Sequence, residues 1–211
     1  MIVNHYRVAI DGPAGSGKST ISKLIAQQLG LTHIDTGAMY RAVTLIALER
    51  KIDLYDEKAY NFLENINISY RNNKIYIDDR DVSDDIRNDA VTKNVSLVAS
   101  YPYVRAKLVA IQQAAIKEGR VIMDGRDIGT VVIPDAEVKI FLTAHVEERA
   151  KRRLRQQQKD VASTLSHAIE DIKTRDDKDS KRLLSPLKQA TDATVVDTTH
   201  LTLDETVNTI I

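Results

Sequence analysis

Gly12-Pro13-Ala14-Gly15-Ser16-Gly17-Lys18-Ser19 fits the pattern G-x-x-x-x-G-K-[ST], which has mechanical meaning only between a strand and a helix. Both flanks are present. Arg7-Val8-Ala9-Ile10 reads as a short buried strand, and the run from Thr20 to Leu29 puts Ile21, Leu24, Ile25 and Leu29 on one helical face. Gly30 follows as the stop of a helix over Lys18–Leu29. In such a loop, glycines let successive backbone N–H groups turn toward phosphate oxygens, and the positive end of the helix dipole adds to the field. Lys18 is placed to reach the β- and γ-phosphates, and the Ser19 hydroxyl to ligate Mg²⁺. The stretch Gly12 to Thr20 is therefore the expected binding loop for a nucleoside triphosphate.

Composition narrows the class. A chain of 211 residues buries a full core, as one domain with insertions or one domain plus a small one. Lys+Arg and Asp+Glu balance at 30 each, which argues against a general nucleic-acid binder. Cysteine is absent, so disulfides and thiolate chemistry are excluded. No run approaches the roughly 18 apolar residues of a membrane span, and Met1 to Tyr6 shows no leader pattern. A soluble, cytoplasmic monomer is the expectation.

Short apolar runs alternate with helical patterns along the chain. Strands are expected at Val8–Ile10, His33–Ile34, Val121–Met123, Lys139–Leu142 and Thr194–Val196. Helices are expected near Lys18–Leu29, Ala38–Arg50, Tyr103–Lys117, Val146–Gln158, Leu165–Asp176 and Leu203–Ile210, the last opened by a capping box at Thr202 and Glu205. Such alternation calls for a parallel sheet covered on both faces, an α/β fold. One region departs from it. Ile66–Tyr70 and Lys74–Asp78 alternate apolar and polar residues around Arg71-Asn72-Asn73, an exposed hairpin to which Arg80-Asp81-Val82 adds a short strand. Ser83 then caps a helical stretch through Val98. This reads as a small α+β insertion at 62–100 within a core made of 1–61 and 101–211.

Glu147 to Gln158 packs Arg149, Lys151, Arg152, Arg153 and Arg155 into under three turns. A charge run of this kind is ordinarily a solvated helix face. Beside a phosphate loop it also reads as a lid, here 149–165, bringing arginines over transferring phosphates. The Asn-Lys-x-Asp pattern that specifies guanine is absent: Asn73-Lys74-Ile75-Tyr76 lacks the Asp. The chain is short for a motor or helicase, which leaves a kinase for a small acceptor. Asp124, ending a buried strand, is the candidate for the Mg²⁺ shell, directly or through water.

Three further clusters are Asp35-Thr36-Gly37-Ala38-Met39-Tyr40-Arg41, Asp124-Gly125-Arg126-Asp127-Ile128-Gly129-Thr130, and Arg175-Asp176-Asp177-Lys178-Asp179-Ser180-Lys181-Arg182. With the loop Asp11–Ser19, in this order and spacing, they closely resemble the bacterial cytidylate kinases of the nucleoside monophosphate kinase family, over nearly the whole chain. The resemblance implies a P-loop kinase core with a five-stranded parallel sheet flanked by helices, an inserted CMP-binding domain and a short helical lid. It implies transfer of the ATP γ-phosphoryl to CMP or dCMP with Mg²⁺. The family's CMP site falls on Thr36, Arg41, Ser96, Arg105, Arg126, Asp127, Arg175, Asp179 and Arg182. Arg41 and Arg126 would hold the acceptor phosphate with Arg175 and Arg182 nearby, Asp179 would meet the ribose, and Ser96, Arg105 and Asp127 would read the cytosine edge. Lys18, Arg126, Arg153 and Arg182 would carry the transfer, with Arg149, Arg153 and Arg155 on the ATP side. The rival readings are a kinase for UMP, AMP or shikimate, or a nucleotide-sensing module without turnover.

Overall fold

The computed structural model describes residues 6–116, 119–157 and 161–211, and of 161–163 the backbone alone. The first elements are β1 (Tyr6–Asp11), α1 (Lys18–Leu29), β2 (Thr32–Asp35) and α2 (Thr36–Glu49). A 3₁₀ stretch at Glu57–Asn65 leads to β3 (Ile68–Arg71), β4 (Lys74–Ile77) and β5 (Arg80–Asp81). After a 3₁₀ turn at Asp85–Arg87 come α3 (Asp89–Val98), α4 (Pro102–Ile116) and β6 (Arg120–Gly125). A wide π-type turn at Ile128–Val132 precedes β7 (Val138–Thr143), α5 (Val146–Gln156), α6 (Val161–Lys181), β8 (Thr194–Asp197) and α7 (Leu203–Ile210).

The chain divides into two compact units. The first comprises Met1–His33 with Gly119–Ile211. Its framework is the five-stranded parallel sheet β2-β6-β1-β7-β8. Each expected strand is present and longer than its apolar run. The ladder of β1 on β6, for instance, pairs polar ends as well as apolar middles, from Tyr6 opposite Arg120 to Asp11 opposite Gly125. Backbone pairing, and not side-chain hydrophobicity, decides where a strand ends.

Val8, Ile10, Ile122, Ile140, Leu142 and Val196 of this sheet pack with Ile21 and Ile25 of α1 and Val207 of α7. Lys18–Leu29 has the expected bounds, closed by Gly30 at φ +64° with its N–H on the Ala26 carbonyl. The capping box of α7 is also present, with Thr202 and Glu205 exchanging hydrogen bonds. α5 and α6 share a small apolar core of Ala150, Leu154, Ala168 and Ile172. α6 runs past the expected Asp176 to Lys181, so Arg175, Asp176 and Asp179 belong to one continuous helix. Gln158, with which α5 was expected to end, and Lys117, likewise for α4, lie outside the described residues.

The second unit is Ile34–Glu118, within which the expected insertion 62–100 lies together with α2 and α4. The antiparallel sheet β3-β4-β5 carries the expected hairpin, with Asn72 and Asn73 at φ +52° and +58° in its turn. Two helix starts differ from expectation for the same reason, a side-chain cap. α2 begins at Thr36 and not Ala38 because Asp35 accepts from the Ala38 N–H at 2.9 Å. α3 is capped by Asn88, not Ser83. The Ser83 hydroxyl instead donates to Asp81 at 2.6 Å and accepts from the Ile75 N–H at 3.1 Å, which ties β5 to β4.

Candidate functional site

The phosphate loop is built in the first unit. Gly12 sits at φ +150°, and a Cβ there would lie 2.0 Å from the Leu142 carbonyl oxygen, so only glycine lets the loop pass over β7. Lys18 opens α1 and is buried, its ammonium donating to the Pro13 carbonyl at 2.8 Å and the Ser16 hydroxyl at 3.2 Å. Burial drives its pKa well below the ordinary lysine value, and the charges of Arg126 and Arg175 push the same way against Asp124 and Asp11. An anion held by Lys18 would offset both the burial and the like charges. Asp11 anchors the neighbouring turn, accepting from the N–H groups of Ile128 and Gly129 at 2.8 Å each.

Ser19 donates to Asp124 Oδ2 at 2.7 Å, and His33 Nε2 lies 2.7 Å from Asp124 Oδ1. Among the described residues no group of three or more His, Cys, Asp or Glu is arranged to hold a metal alone. A hydroxyl and one carboxylate at the foot of a phosphate loop suit Mg²⁺, which keeps several waters and takes phosphate oxygens to complete its octahedron.

The basic helix sorts its arginines by direction. Arg149 is buried and donates to the carbonyls of Ala14 and Ala144, both at 2.9 Å, and pairs with Asp176. Asp176 in turn accepts from the Ala14 N–H at 2.9 Å, so the pair grips both backbone groups of one phosphate-loop residue. Arg152 donates to the Thr198 hydroxyl at 2.8 Å and carbonyl at 2.5 Å, with its Nη1 3.5 Å from the Ser16 carbonyl. Arg153 is half-buried, and Arg155 is exposed within 3.7 Å of Glu148. Of the lid range 149–165, residues 158–160 lie outside the described residues.

Two arginine–aspartate pairs follow in the same unit. Arg126 Nε donates to Asp179 at 2.9 Å. Burial opposes the Arg126 charge, but Asp179, Asp176 and Asp124 outweigh it and hold its pKa above the ordinary value. Arg182 Nη2 is 3.4 Å from Asp127 Oδ1, both side chains buried, while its Nε bonds the Ser185 carbonyl at 2.5 Å. Arg175 belongs to the same group through its charge on Lys18.

The second unit holds Thr36, Arg41, Ser96 and Arg105. Thr36 is buried in the first turn of α2, and Arg41 one turn on lies 4.0 Å from Asp35. A Cβ on Gly37 would sit 3.2 Å from Asp35 and 3.8 Å from Arg41, so glycine leaves both side chains room. Arg105 is buried on α4, donates to the Ala99 carbonyl at 3.1 Å and lies 5.4 Å from the Tyr40 ring centroid. Ser96 is buried on α3.

Three contributors went unassigned in the sequence. Asp176 stands inside a quoted motif, Arg152 inside the charge run, and His33 inside a strand whose other inward positions are apolar or acidic. A polar side chain on a buried strand face was the available signal for His33.

The family model described as cytidylate kinase matches residues 8–211. A cytidylate kinase of Acholeplasma laidlawii is 59% identical over 207 residues, covering 98% of this chain and 93% of that protein. One from Lactobacillus johnsonii is 52% identical over 207 residues, covering 95% and 90%. A solved structure of an uncharacterized protein from Eubacterium ventriosum shares the fold at TM-score 0.55 and 10% identity, covering 98% of this chain and 96% of that one. The chain belongs to the cytidylate kinase family.

Proposed function

We infer that this chain transfers the γ-phosphoryl group of ATP to CMP or dCMP, giving ADP and CDP or dCDP, a step of pyrimidine nucleotide metabolism. The observation that carries the reading is the glycine-rich loop that encloses the buried Lys18 at the start of α1, with the Ser19 hydroxyl on Asp124 beside it, a site matched to a nucleoside triphosphate and its cation. Family membership supplies the identity of the acceptor. No described helix is long and apolar enough to cross a membrane. A cytoplasmic monomer acting where ATP is abundant belongs to the same proposal.

The attacking atom is an oxygen of the CMP phosphate, already anionic near neutral pH, so no general base is needed. The difficulty is to hold two polyanions in line and out of water. Gly12 to Thr20 and Lys18 would take the ATP phosphates, and Lys18 would exchange the neutral Pro13 and Ser16 oxygens for charged ones. Ser19 and Asp124 would hold Mg²⁺, which when bound neutralises charge on the β- and γ-oxygens. Arg126, Arg153 and Arg182 would stabilise charge at the transferred group. Arg149 and Arg155 would serve the ATP side, Arg149 through its grip on Ala14. By the family resemblance, Thr36, Arg41, Ser96, Arg105, Arg126, Asp127, Arg175, Asp179 and Arg182 would bind CMP. Asp127 would accept from the cytosine N4 amino group and Arg105 donate to N3 or O2, whereas the O4 of uracil would face a carboxylate. Closure of the lid after the acceptor is loaded would keep the γ-phosphoryl from water.

Coupled ADP-release assays with CMP, dCMP, UMP, AMP and shikimate test the reading. CMP and dCMP should exceed the others by more than about tenfold in kcat/KM, a difference of ~1.4 kcal/mol. Comparable rates with UMP or AMP, or ATP binding without turnover, would overturn it.

A further inference from the structure

The side chain of His33 is almost wholly enclosed, with 1% of its surface exposed, yet it is polar. A buried imidazole is costly to place unless its N–H finds an acceptor, and an apolar residue would fill a strand position at less cost. The acceptor here is Asp124 Oδ1, 2.7 Å from Nε2, and that carboxylate is itself only 5% exposed. A carboxylate oxygen accepts, so the tautomer that fits this contact carries its hydrogen on Nε2. The other carboxylate oxygen, Oδ2, receives the Ser19 hydroxyl at 2.7 Å.

The three groups form one directed chain, from His33 on β2 through Asp124 on β6 to Ser19 in the first turn of α1. Each link settles the next. The bond on Oδ1 restrains the terminal torsion of the carboxylate, which is intrinsically broad. With Oδ1 held, Oδ2 stays aimed at Ser19. The hydroxyl then points its hydrogen at Asp124, which leaves its lone pairs available to a hard cation that takes oxygen ligands. Groups that orient ligating carboxylates and hydroxyls commonly matter nearly as much as the ligands themselves.

We propose that His33 is a positioning residue for the divalent cation of the nucleotide, acting through Asp124 on Ser19 without touching cation or substrate. This rests on the proposed use of Mg²⁺–ATP, not on the identity of the acceptor.

The test pairs two substitutions. His33→Leu fills the space without a donor, and His33→Gln restores an N–H donor of similar reach. Mn²⁺ affinity is read by electron paramagnetic resonance on the protein carrying a non-hydrolysable ATP analogue, which requires no turnover and no CMP. The half-saturating Mn²⁺ concentration should rise about tenfold or more in His33→Leu and stay within about threefold of the parent in His33→Gln, in line with the effect of outer-shell changes. Binding of the analogue in the presence of chelator should be equal in all three proteins. In an Asp124→Asn background, His33→Leu should have no further effect on Mn²⁺, a check that also serves if the single variant is less stable. Unchanged Mn²⁺ affinity in His33→Leu overturns the proposal, as does equal loss in both variants, which would mean that ring packing alone matters. A parent inactive on CMP but with the expected Mn²⁺ pattern would refute the acceptor assignment and uphold His33.

Discussion

Asp176→Ala should damage stability and nucleotide binding together, because one carboxylate serves two partners. Its Oδ1 takes the Ala14 N–H at 2.9 Å, and its Oδ2 pairs with Arg149, whose side chain keeps only 10% of its surface exposed. Truncation leaves that guanidinium buried without its anion, a loss of about 3–5 kcal/mol for a fully buried pair. Asp176 itself is 18% exposed, so water screens part of the interaction and the lower end, about 3 kcal/mol, applies. For a chain of this size each kcal/mol shifts Tm by about 2–4 °C, so scanning calorimetry should show a fall of about 6–12 °C. Asp176→Asn keeps an acceptor for Ala14 and should recover about 1 kcal/mol, the net worth of that hydrogen bond. Released at Ala14, the loop must be ordered by the ligand, and the affinity for an ATP analogue should drop about tenfold, or ~1.4 kcal/mol. An Asp176→Ala protein melting within about 2 °C of the parent would refute the clamp. A large fall in Tm with unchanged ATP affinity would show that the clamp does not preorganise the loop.

Other expectations are more local. Lys18→Ala should fold and bind CMP but lose about 10²–10³ in kcat, the usual effect of deleting one electrostatic stabiliser; retention of a tenth of the parent rate would remove Lys18 from the transfer. Asp127→Asn should lower the CMP:UMP ratio of kcat/KM about tenfold, since an amide can also donate to the O4 of uracil; equal losses on both acceptors would show that Asp127 does not read the base. Burial pushes the Asp11 carboxyl up to about 6, with Asp127 adding to the rise and the N–H groups of Gly129 and Ile128 opposing it. Since the folded value exceeds the ordinary 3.8, the native chain keeps this proton at pH values where the unfolded chain has lost it. The group's contribution to stability therefore falls as pH rises across that window and levels off above about 6. A carbon-13 titration of Asp11 with a midpoint below about 4 would contradict this.

The fold was legible wherever the chain decides its own conformation. The phosphate loop, the glycine stop after α1 and the capping box of α7 are local devices within a few residues of one another, so sequence spacing specifies them. Boundaries were less legible where a side chain competes for backbone groups. Asp35 and Asn88 begin α2 and α3 by accepting N–H groups three residues on. Ser83 has the same chemistry, but its hydroxyl is committed to Asp81. Nothing in the local sequence separates a Ser that caps from one that braces a strand, because the choice is made by which acceptor the fold brings close.

The site shows the same division at longer range. Residue types could be read from the motifs, but pairings could not: Arg126 meets Asp179 across 53 positions and Arg182 meets Asp127 across 55. Nor does a run of arginines have one role. Successive helical residues are turned about 100° from each other, so neighbours in sequence face different surroundings. Arg149 faces inward to the phosphate loop, where water is excluded and its charge must be matched by Asp176. Arg155, with 66% of its side chain exposed, stands in solvent beside Glu148, where the pairing contributes little. Arg149→Lys should therefore be poorly tolerated, because one ammonium cannot span Ala14, Ala144 and Asp176 as the planar guanidinium does, whereas Arg155→Lys should leave the melting temperature unchanged. Equal effects of the two substitutions in calorimetry would show that direction along the helix does not distinguish these cations.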